Sequence, residues 1–434
     1  MSTFKAGMAK TDITPAIGAL LYGYPSERIS NNVLDPISVN AVAVCQNDET
    51  VVFISAEICS MNLDNCQYVA NAVAEATGIK PENVFYSNIH THSAPITRTS
   101  AGWGTADTKY VDEILIPRSI ETAKKAIASM QEAVMAVGQT MSYLGINRRQ
   151  IKDGEVILGQ NPEGPYNPKM TALVFKDTEG NNIGSIIHYA AHPTCGGENL
   201  SITRDWPGYM IDRVEEITGA PCMYINGAEG DVGPRLSNGR TTGAGDESYI
   251  KETGLIAAKD VEAAIADATD FKVPTLKVHS ENITLPFVEM PSLESVLQKM
   301  EEMGDPEKLI EVDISTYARL TKIKKMYEDK VEAPTSLKLM QTVVAFDDLA
   351  ITPLPFEAFC KIALSLQEKS PFEETLLFGL TGGSFGYLPT EDQIPYGGYE
   401  IGSFKAATIP GFIESLDKYI VEENVKLLNK LYNK

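Results

Sequence analysis

The sequence predicts a mixed α/β fold in which helices are layered on a large, twisted β-sheet. Short β-rich runs alternate with longer segments of helical periodicity through most of the 434 residues. Several of these runs are apolar at every position, which is typical of strands covered on both faces. Some connections between runs are too short for a helical crossover, so we expect a mixed sheet rather than a purely parallel one.

The predicted elements follow one another along the whole chain. Strands are predicted at 51–55, 84–87, 172–175, 183–189, 223–225, 342–346 and 376–379. Helices are predicted at about 61–77, 109–131, 207–219, 246–267 and 357–369, with a closing helix at about 413–431. Because no internal repeat or low-complexity linker separates them, we expect a single domain over residues 1–434.

Residues 291–330 differ from this alternation and predict a helical insertion. Pro291 and Ser292 can begin a first helix, which Gly304 can end. A second apolar stripe, which includes Ile314 and Tyr317, predicts another helix. We expect the insertion to pack against the body of the domain rather than to act as a lid or a subunit contact.

The charge balance excludes several classes of partner. The chain has 58 acidic and 37 basic residues, a net charge of −21. This excess repels phosphate backbones and anionic lipids, so we expect neither nucleic-acid binding nor stable membrane association. The N-terminus lacks the pattern of a secretory signal, and the six scattered cysteines are typical of reduced thiols, so a cytoplasmic location is expected. The oligomeric state stays open, a homo-oligomer included.

Four of the five histidines fall into two clusters, each after a predicted strand. His90 and His92 share a spacing that presents both to one site, whether in a strand or on the loop beyond it. In the second cluster, His188 is predicted to lie within the strand. Pro193 moves His192 away from helical geometry, which makes His192 the better ligand candidate. A single histidine is usually structural, but two such clusters indicate a metal or catalytic site.

Three further segments have the character of binding loops, although each alone would be taken as a surface turn. They are 225–235 (INGAEGDVGPR), 353–359 (PLPFEAF), which places Glu357 between a strand and a helix, and 382–400 (GGSFGYLPTEDQIPYGGYE).

Taken together, these motifs resemble the catalytic domain of the neutral/alkaline ceramidase family. HTHSAP, AAHPT, GDVGPR, PFE and GYLPTEDQIPYGGYE occur in the family's order and rough spacing, and the resemblance extends from about residue 5 to about residue 405. It implies a ceramidase-type fold and one Zn²⁺ per chain. The implied metal ligands are His90, His192, Glu357 and Tyr387.

The resemblance also implies roles for residues around the metal. His92 would transfer protons, and Arg148 or Tyr399 would stabilise the developing oxyanion. Gly23 and Tyr24 align with a loop beside the pocket. Two departures from the family's pattern narrow the range of expected substrates. Gly233 occupies the position of the family's serine beside the scissile amide, and neither the C-terminal immunoglobulin-like domain nor a secretion signal is found in this sequence.

The function predicted from these residues is zinc-dependent hydrolysis of an amide (N-acyl) bond in a soluble small molecule. One alternative is hydrolysis of a lactam, lactone or ester at the same site; another is a non-catalytic ligand-binding protein; a third is a true ceramidase. A metal-free α/β hydrolase is disfavoured, because the match to Gly-x-Ser-x-Gly at 382–386 lies in the irregular, glycine-rich segment 382–400 and not at a strand-to-helix elbow.

Overall fold

The structure is a computed structural model that describes residues 3–236 and 246–434. Its strands are β1 (Lys5–Asp12), β2 (Asn32–Val33), β3 (Ser38–Gln46), β4 (Glu49–Ala56), β5 (Val84–Asn88), β6 (Gln131–Met141), β7 (Gly145–Asn147), β8 (Arg149–Lys152), β9 (Glu155–Leu158), β10 (Lys169–Asp177), β11 (Asn182–Tyr189), β12 (Ser201–Ile202), β13 (Cys222–Asn226), β14 (Val232–Pro234), β15 (Leu276–Pro286), β16 (Ser336–Phe346), β17 (Leu349–Pro353), β18 (Glu357–Ala358), β19 (Glu374–Phe378) and β20 (Tyr387–Leu388). Its α-helices are α1 (Leu63–Thr77), α2 (Thr108–Tyr110), α3 (Ile116–Ala128), α4 (Trp206–Thr218), α5 (Glu247–Asp267), α6 (Leu293–Met303), α7 (Glu311–Glu328), α8 (Cys360–Lys369), α9 (Tyr399–Ala406) and α10 (Leu416–Tyr432).

The largest element is an eight-stranded mixed sheet in the order β13-β11-β10-β6-β1-β3-β4-β5. Most neighbouring strands are antiparallel, but β4 pairs with β5 in parallel through α1, and β11 pairs with β13 in parallel through α4. The predicted mixed α/β fold is therefore confirmed.

The two ends of this sheet approach each other. The Ser55 hydroxyl in β4 donates to the carbonyl oxygen of Tyr224 in β13 at 2.6 Å, and the Asn226 amide donates to the carbonyl oxygen of Ile89, just beyond β5, at 3.1 Å. Segments that leave β5 and β11 therefore enter the same region, although five strands lie between them in the sheet order.

A second sheet, in the order β15-β16-β17-β19, packs face to face on the first. Apolar side chains fill the interface between the sheets, including the rings of Phe53 and Phe378, whose centroids lie 5.9 Å apart. Helices α1, α3, α4 and α5 cover the outer face of the large sheet, and α8 and α10 cover the outer face of the small one. The layers are thus helix, sheet, sheet and helix.

All seven predicted strands are present, but the sequence did not indicate β1, β3, β6 or β15. The predicted helix at 357–369 begins too early, because residues 357 and 358 form β18 and α8 starts at Cys360. The backbone N–H of Phe359 donates to the carbonyl oxygen of Leu388, so extended pairing prevails over helical propensity at this point.

The two helices predicted in the insertion are confirmed as α6 and α7. Val296, Leu320 and Ile323 form their shared apolar cluster. All six cysteines are free thiols. Within residues 3–236 and 246–434, no helix is long and apolar enough to cross a membrane.

Candidate metal centre

His90 lies two residues beyond β5 in a backbone conformation that residues other than glycine rarely adopt. Its φ is 72°, in the left-handed region. Its side-chain Nδ1 lies 2.9 Å from the carbonyl oxygen of Cys59. Since a carbonyl can only accept, Nδ1 carries a proton, and Nε2 is the nitrogen that would present a lone pair to a metal. Burial would lower the pKa of His90, but Cys59 and Glu357 raise it well above its ordinary value, so metal binding would displace the proton from Nε2.

His192, three residues beyond β11, is held by a turn that the GDVG motif forms. Its Nδ1 donates to the carbonyl oxygens of Glu229 and Val232, at 2.8 and 3.0 Å. Gly230 permits this turn to approach β18, because a Cβ at Gly230 would lie 2.3 Å from the carbonyl oxygen of Glu357. The motif therefore orients His192 and packs it against the strand that carries Glu357.

The carboxylate of Glu357 completes a cluster of three electron-pair donors. Its Oε2 lies 3.3 Å from Nε2 of His90 and 3.4 Å from Nε2 of His192. Among the residues that the structure describes, this buried oxygen has no hydrogen-bond partner. Burial alone would raise the pKa of Glu357, but the two histidines hold it well below its usual range, so the carboxylate is ionised. A buried carboxylate that faces Nε2 of two imidazoles fits a divalent cation, which would take the place of the proton on His90.

Tyr387 adds a fourth oxygen, because β18 pairs in parallel with β20 and sets Glu357 beside Tyr387. The hydroxyl of Tyr387 lies 3.5 Å from Nε2 of His192 and accepts a hydrogen bond from Nη2 of Arg148 at 2.8 Å. Burial raises the pKa of Tyr387 well above its ordinary value, and the guanidinium of Arg148 opposes this. The arginine thus favours a phenol oxygen that presents an electron pair.

Arg148 is itself held by a buried carboxylate. Its Nε donates to Oε1 of Glu400 at 2.9 Å, and Nη1 of Arg149 donates to Oε2 of the same carboxylate at 2.7 Å. All three side chains are buried. Arg148 therefore contacts Tyr387 and Glu400 and is not among the residues that line the cavity described below. Its implied role toward the substrate stays a prediction.

His92 lies at the edge of the donor cluster. Its Nε2 is 3.3 Å from Nε2 of His90, and its Nδ1 has no hydrogen-bond partner among the described residues. Burial, together with the neighbouring His90 and His192, lowers the pKa of His92 well below its ordinary value. The ring is therefore neutral, with one nitrogen lone pair available.

Gly23 and Tyr24 both contact the His92 ring. The φ of Gly23 is 107°, and a Cβ there would lie 2.3 Å from Cγ of His92. The Tyr24 ring meets the imidazole edge-on, with centroids 5.1 Å apart. The loop predicted to lie beside the pocket therefore fixes the position of His92.

A cavity of about 100 Å³ opens onto the cluster. Among the sequence-predicted residues, it is lined by Gly23, His90, His92, Glu357, Tyr387 and Tyr399. The ring of Tyr399 lies 5.6 Å from that of Tyr387. Gly233 does not line this cavity; it lies in β14, where it pairs with Ile146 of β7.

Sequence reasoning missed several residues of the site. Glu400 directly follows the predicted Tyr399, but nothing in the sequence pairs it with two arginines. Arg98 and Trp103, which line the cavity, follow the HTHSAP motif closely, and proximity to that motif was the available signal. His188 is confirmed within β11, where its Nε2 lies 2.9 Å from the carbonyl oxygen of Leu377, away from the cluster.

No protein-family model matches the sequence, and no curated protein sequence does. Solved structures do match. One is the crystal structure of neutral ceramidase from Pseudomonas aeruginosa, with a TM-score of 0.74 and 17% identity over 99% of this chain and 75% of that one. Another is a ceramidase complexed with C2, with a TM-score of 0.75 and 15% identity over 100% of this chain and 76% of that one. The chain therefore has the ceramidase fold expected from its motifs.

Proposed function

We propose that this protein is a zinc-dependent hydrolase that cleaves the amide (N-acyl) bond of a soluble small molecule. One observation carries the proposal: the orphaned Oε2 of Glu357 faces Nε2 of both His90 and His192, at 3.3 and 3.4 Å. The ceramidase fold supports it, because amide hydrolysis is the activity that the fold neighbours' names imply.

The donor set favours zinc among the common divalent cations. Two imidazole nitrogens, a carboxylate and a phenol oxygen are typical of Zn²⁺ rather than of Mg²⁺ or Ca²⁺, which prefer oxygen alone. His90, His192, Glu357 and Tyr387 would hold the ion. When bound, it would acidify a water molecule and polarise a substrate carbonyl.

The chain's own residues would then manage protons and orientation. His92, a neutral imidazole whose Nε2 faces the donor cluster, would accept a proton from the attacking water and return it to the leaving nitrogen. The side chain of Tyr399 lies along the cavity, where its hydroxyl can donate to the developing oxyanion. Gly233 carries no hydroxyl and does not line the cavity, so no acyl-enzyme would form at this position.

The first test is metal content and turnover in the purified full chain. Elemental analysis should find about one zinc per chain, and removal with a chelator should abolish hydrolysis of a panel of N-acyl amides until zinc is restored. His90→Ala and His192→Ala should lose the metal, whereas His92→Ala should keep the metal and lose most of the turnover. His279→Ala is the matched control, since His279 lies in β15, paired with Glu281.

Three outcomes would contradict the proposal or redirect it. Full metal occupancy in His90→Ala and His192→Ala would refute the ligand assignment. Metal loss in His92→Ala would mean that the roles of His90 and His92 are exchanged. Turnover of lactams, lactones or esters in a parallel panel, with none of linear amides, would favour that alternative on the same site.

A further inference from the structure

A second cavity adjoins the candidate metal centre. It has a volume of about 450 Å³ and shares Arg98, Trp103 and Ser384 with the small cavity at the cluster. We propose that this second cavity, here called the cationic cavity, binds an anionic group of the substrate, either a carboxylate or a phosphate. This inference rests on the proposed amide hydrolysis and narrows its substrate class.

Three cationic side chains line the cationic cavity: Arg98, Arg319 and Lys322. No acidic residue lines it, and none of the three has an ion-pair partner within the described part of the chain. In a protein with a net charge of −21, such a concentration of unpaired positive charge is unusual. It forms a local positive field beside the site, which would attract an anion and orient it.

Among the described residues, the two arginines donate hydrogen bonds to backbone carbonyls only. Nη1 of Arg98 donates to the carbonyl oxygen of Ser384 at 3.0 Å, and Nε of Arg319 donates to that of Thr408 at 2.8 Å. Both side chains are half-buried. Burial lowers the pKa of Arg319, and no carboxylate in the described ranges offsets this effect. Keeping a partly buried guanidinium without a counterion costs stability, which a bound anion would recover.

The helical insertion supplies two of these cations and is fixed against the rest of the site. The hydroxyl of Ser315 in α7 donates to the carbonyl oxygen of Ala101 at 2.9 Å. Gly102 lies close to Ile314, since a Cβ at Gly102 would come within 3.2 Å of it. The insertion therefore forms one wall of the cationic cavity, which gives α7 a function beyond packing.

Direct anion binding tests this inference without any turnover. Isothermal titration of the full chain with glutarate and, separately, with inorganic phosphate should give saturable binding, and the tighter of the two identifies the anion type. Arg319→Gln should weaken it at least about tenfold, because a charge-assisted hydrogen bond is lost. Lys322→Gln should weaken it less, since Lys322 is exposed. Lys325→Gln is the control on the same helix, paired with Asp329 at 2.8 Å outside the cavity.

Turnover then separates this inference from the proposed function. N-hexanoyl-β-alanine and N-hexanoylphosphoethanolamine place an anion on the amine side, N-succinylpropylamine places one on the acyl side, and N-hexanoylpropylamine is neutral. We expect kcat/KM for at least one anionic probe to exceed that for the neutral probe at least about tenfold. This advantage should fall by the same factor in Arg319→Gln and should be unchanged in Lys325→Gln.

The outcomes are distinguishable. Hydrolysis without preference for an anion, or anion binding unchanged in Arg319→Gln and Lys322→Gln, would overturn the inference and leave the hydrolase proposal intact. Anion binding that these variants abolish, with no hydrolysis of any probe by the zinc-loaded chain, would support the inference and count against the hydrolase.

Discussion

Removing the guanidinium of Arg148 should weaken both the fold and the metal site. Arg148→Met keeps most of the side-chain length but deletes the contacts to Tyr387 at 2.8 Å and to Glu400 at 2.9 Å. Breaking a buried ion pair costs roughly 3–5 kcal/mol. Because Arg149 still contacts Glu400 at 2.7 Å, we expect the lower end of that range, about 3 kcal/mol in the free energy of unfolding.

The same change should weaken zinc binding by about 10–100-fold, the usual effect of losing a residue that orients a metal ligand. Urea unfolding of the metal-stripped chain measures the first effect, and competition with a chromophoric chelator measures the second. Tyr387→Phe provides the matched comparison. If Arg148 acts through Tyr387, the double variant should bind zinc no more weakly than Tyr387→Phe alone.

A different result would refute this reasoning. If Arg148→Met kept its zinc affinity within about twofold while kcat fell, Arg148 would act on the substrate, as the sequence resemblance implies, and not on Tyr387.

Three further predictions concern the pocket loop, buried charge and substrate. Gly23→Ala should displace His92 and lower turnover at least about tenfold, with metal content unchanged. Gly18→Ala is the control: its φ is also positive, at 102°, but a Cβ added there would have no described atom within 4 Å, so turnover should stay intact. Burial raises the pKa of Glu57 from 4.5 to about 7, so the folded chain holds a proton that the unfolded chain has lost between these values. Stability therefore falls as pH rises through that window, and Glu57→Gln should remove roughly 3 kcal/mol of the fall between about pH 5 and about pH 8 in urea unfolding. Ceramide in detergent micelles should be hydrolysed negligibly by the native chain and by Gly233→Ser in a fatty-acid release assay; robust release by the native chain would overturn this narrowing of substrate.

The sequence predicted the parts of the site that depend on local pattern. His90 and His192 could be identified because each follows an apolar strand, and a strand is recognised by its immediate neighbours. The choice of His192 over His188 rested on Pro193, another local effect, and the structure places His188 within β11 and away from the cluster. Strands β1 and β3 were missed because neither was marked by an apolar run as clear as those of the predicted strands.

The alternation of strands and helices, the candidate donors and the resemblance to ceramidases were thus determined by the sequence alone, since periodicity and motifs are properties of short stretches. Tertiary structure decided what those residues do to one another. The two ends of the large sheet lie close together, as the hydrogen bond from Ser55 to the carbonyl oxygen of Tyr224 shows. This proximity places His90 beside His192. Likewise, packing of the insertion places Arg319 beside the site, and burial joins Arg148 to Tyr387. Distances between residues remote in sequence depend on how all the layers pack together, and no short stretch of sequence specifies that packing.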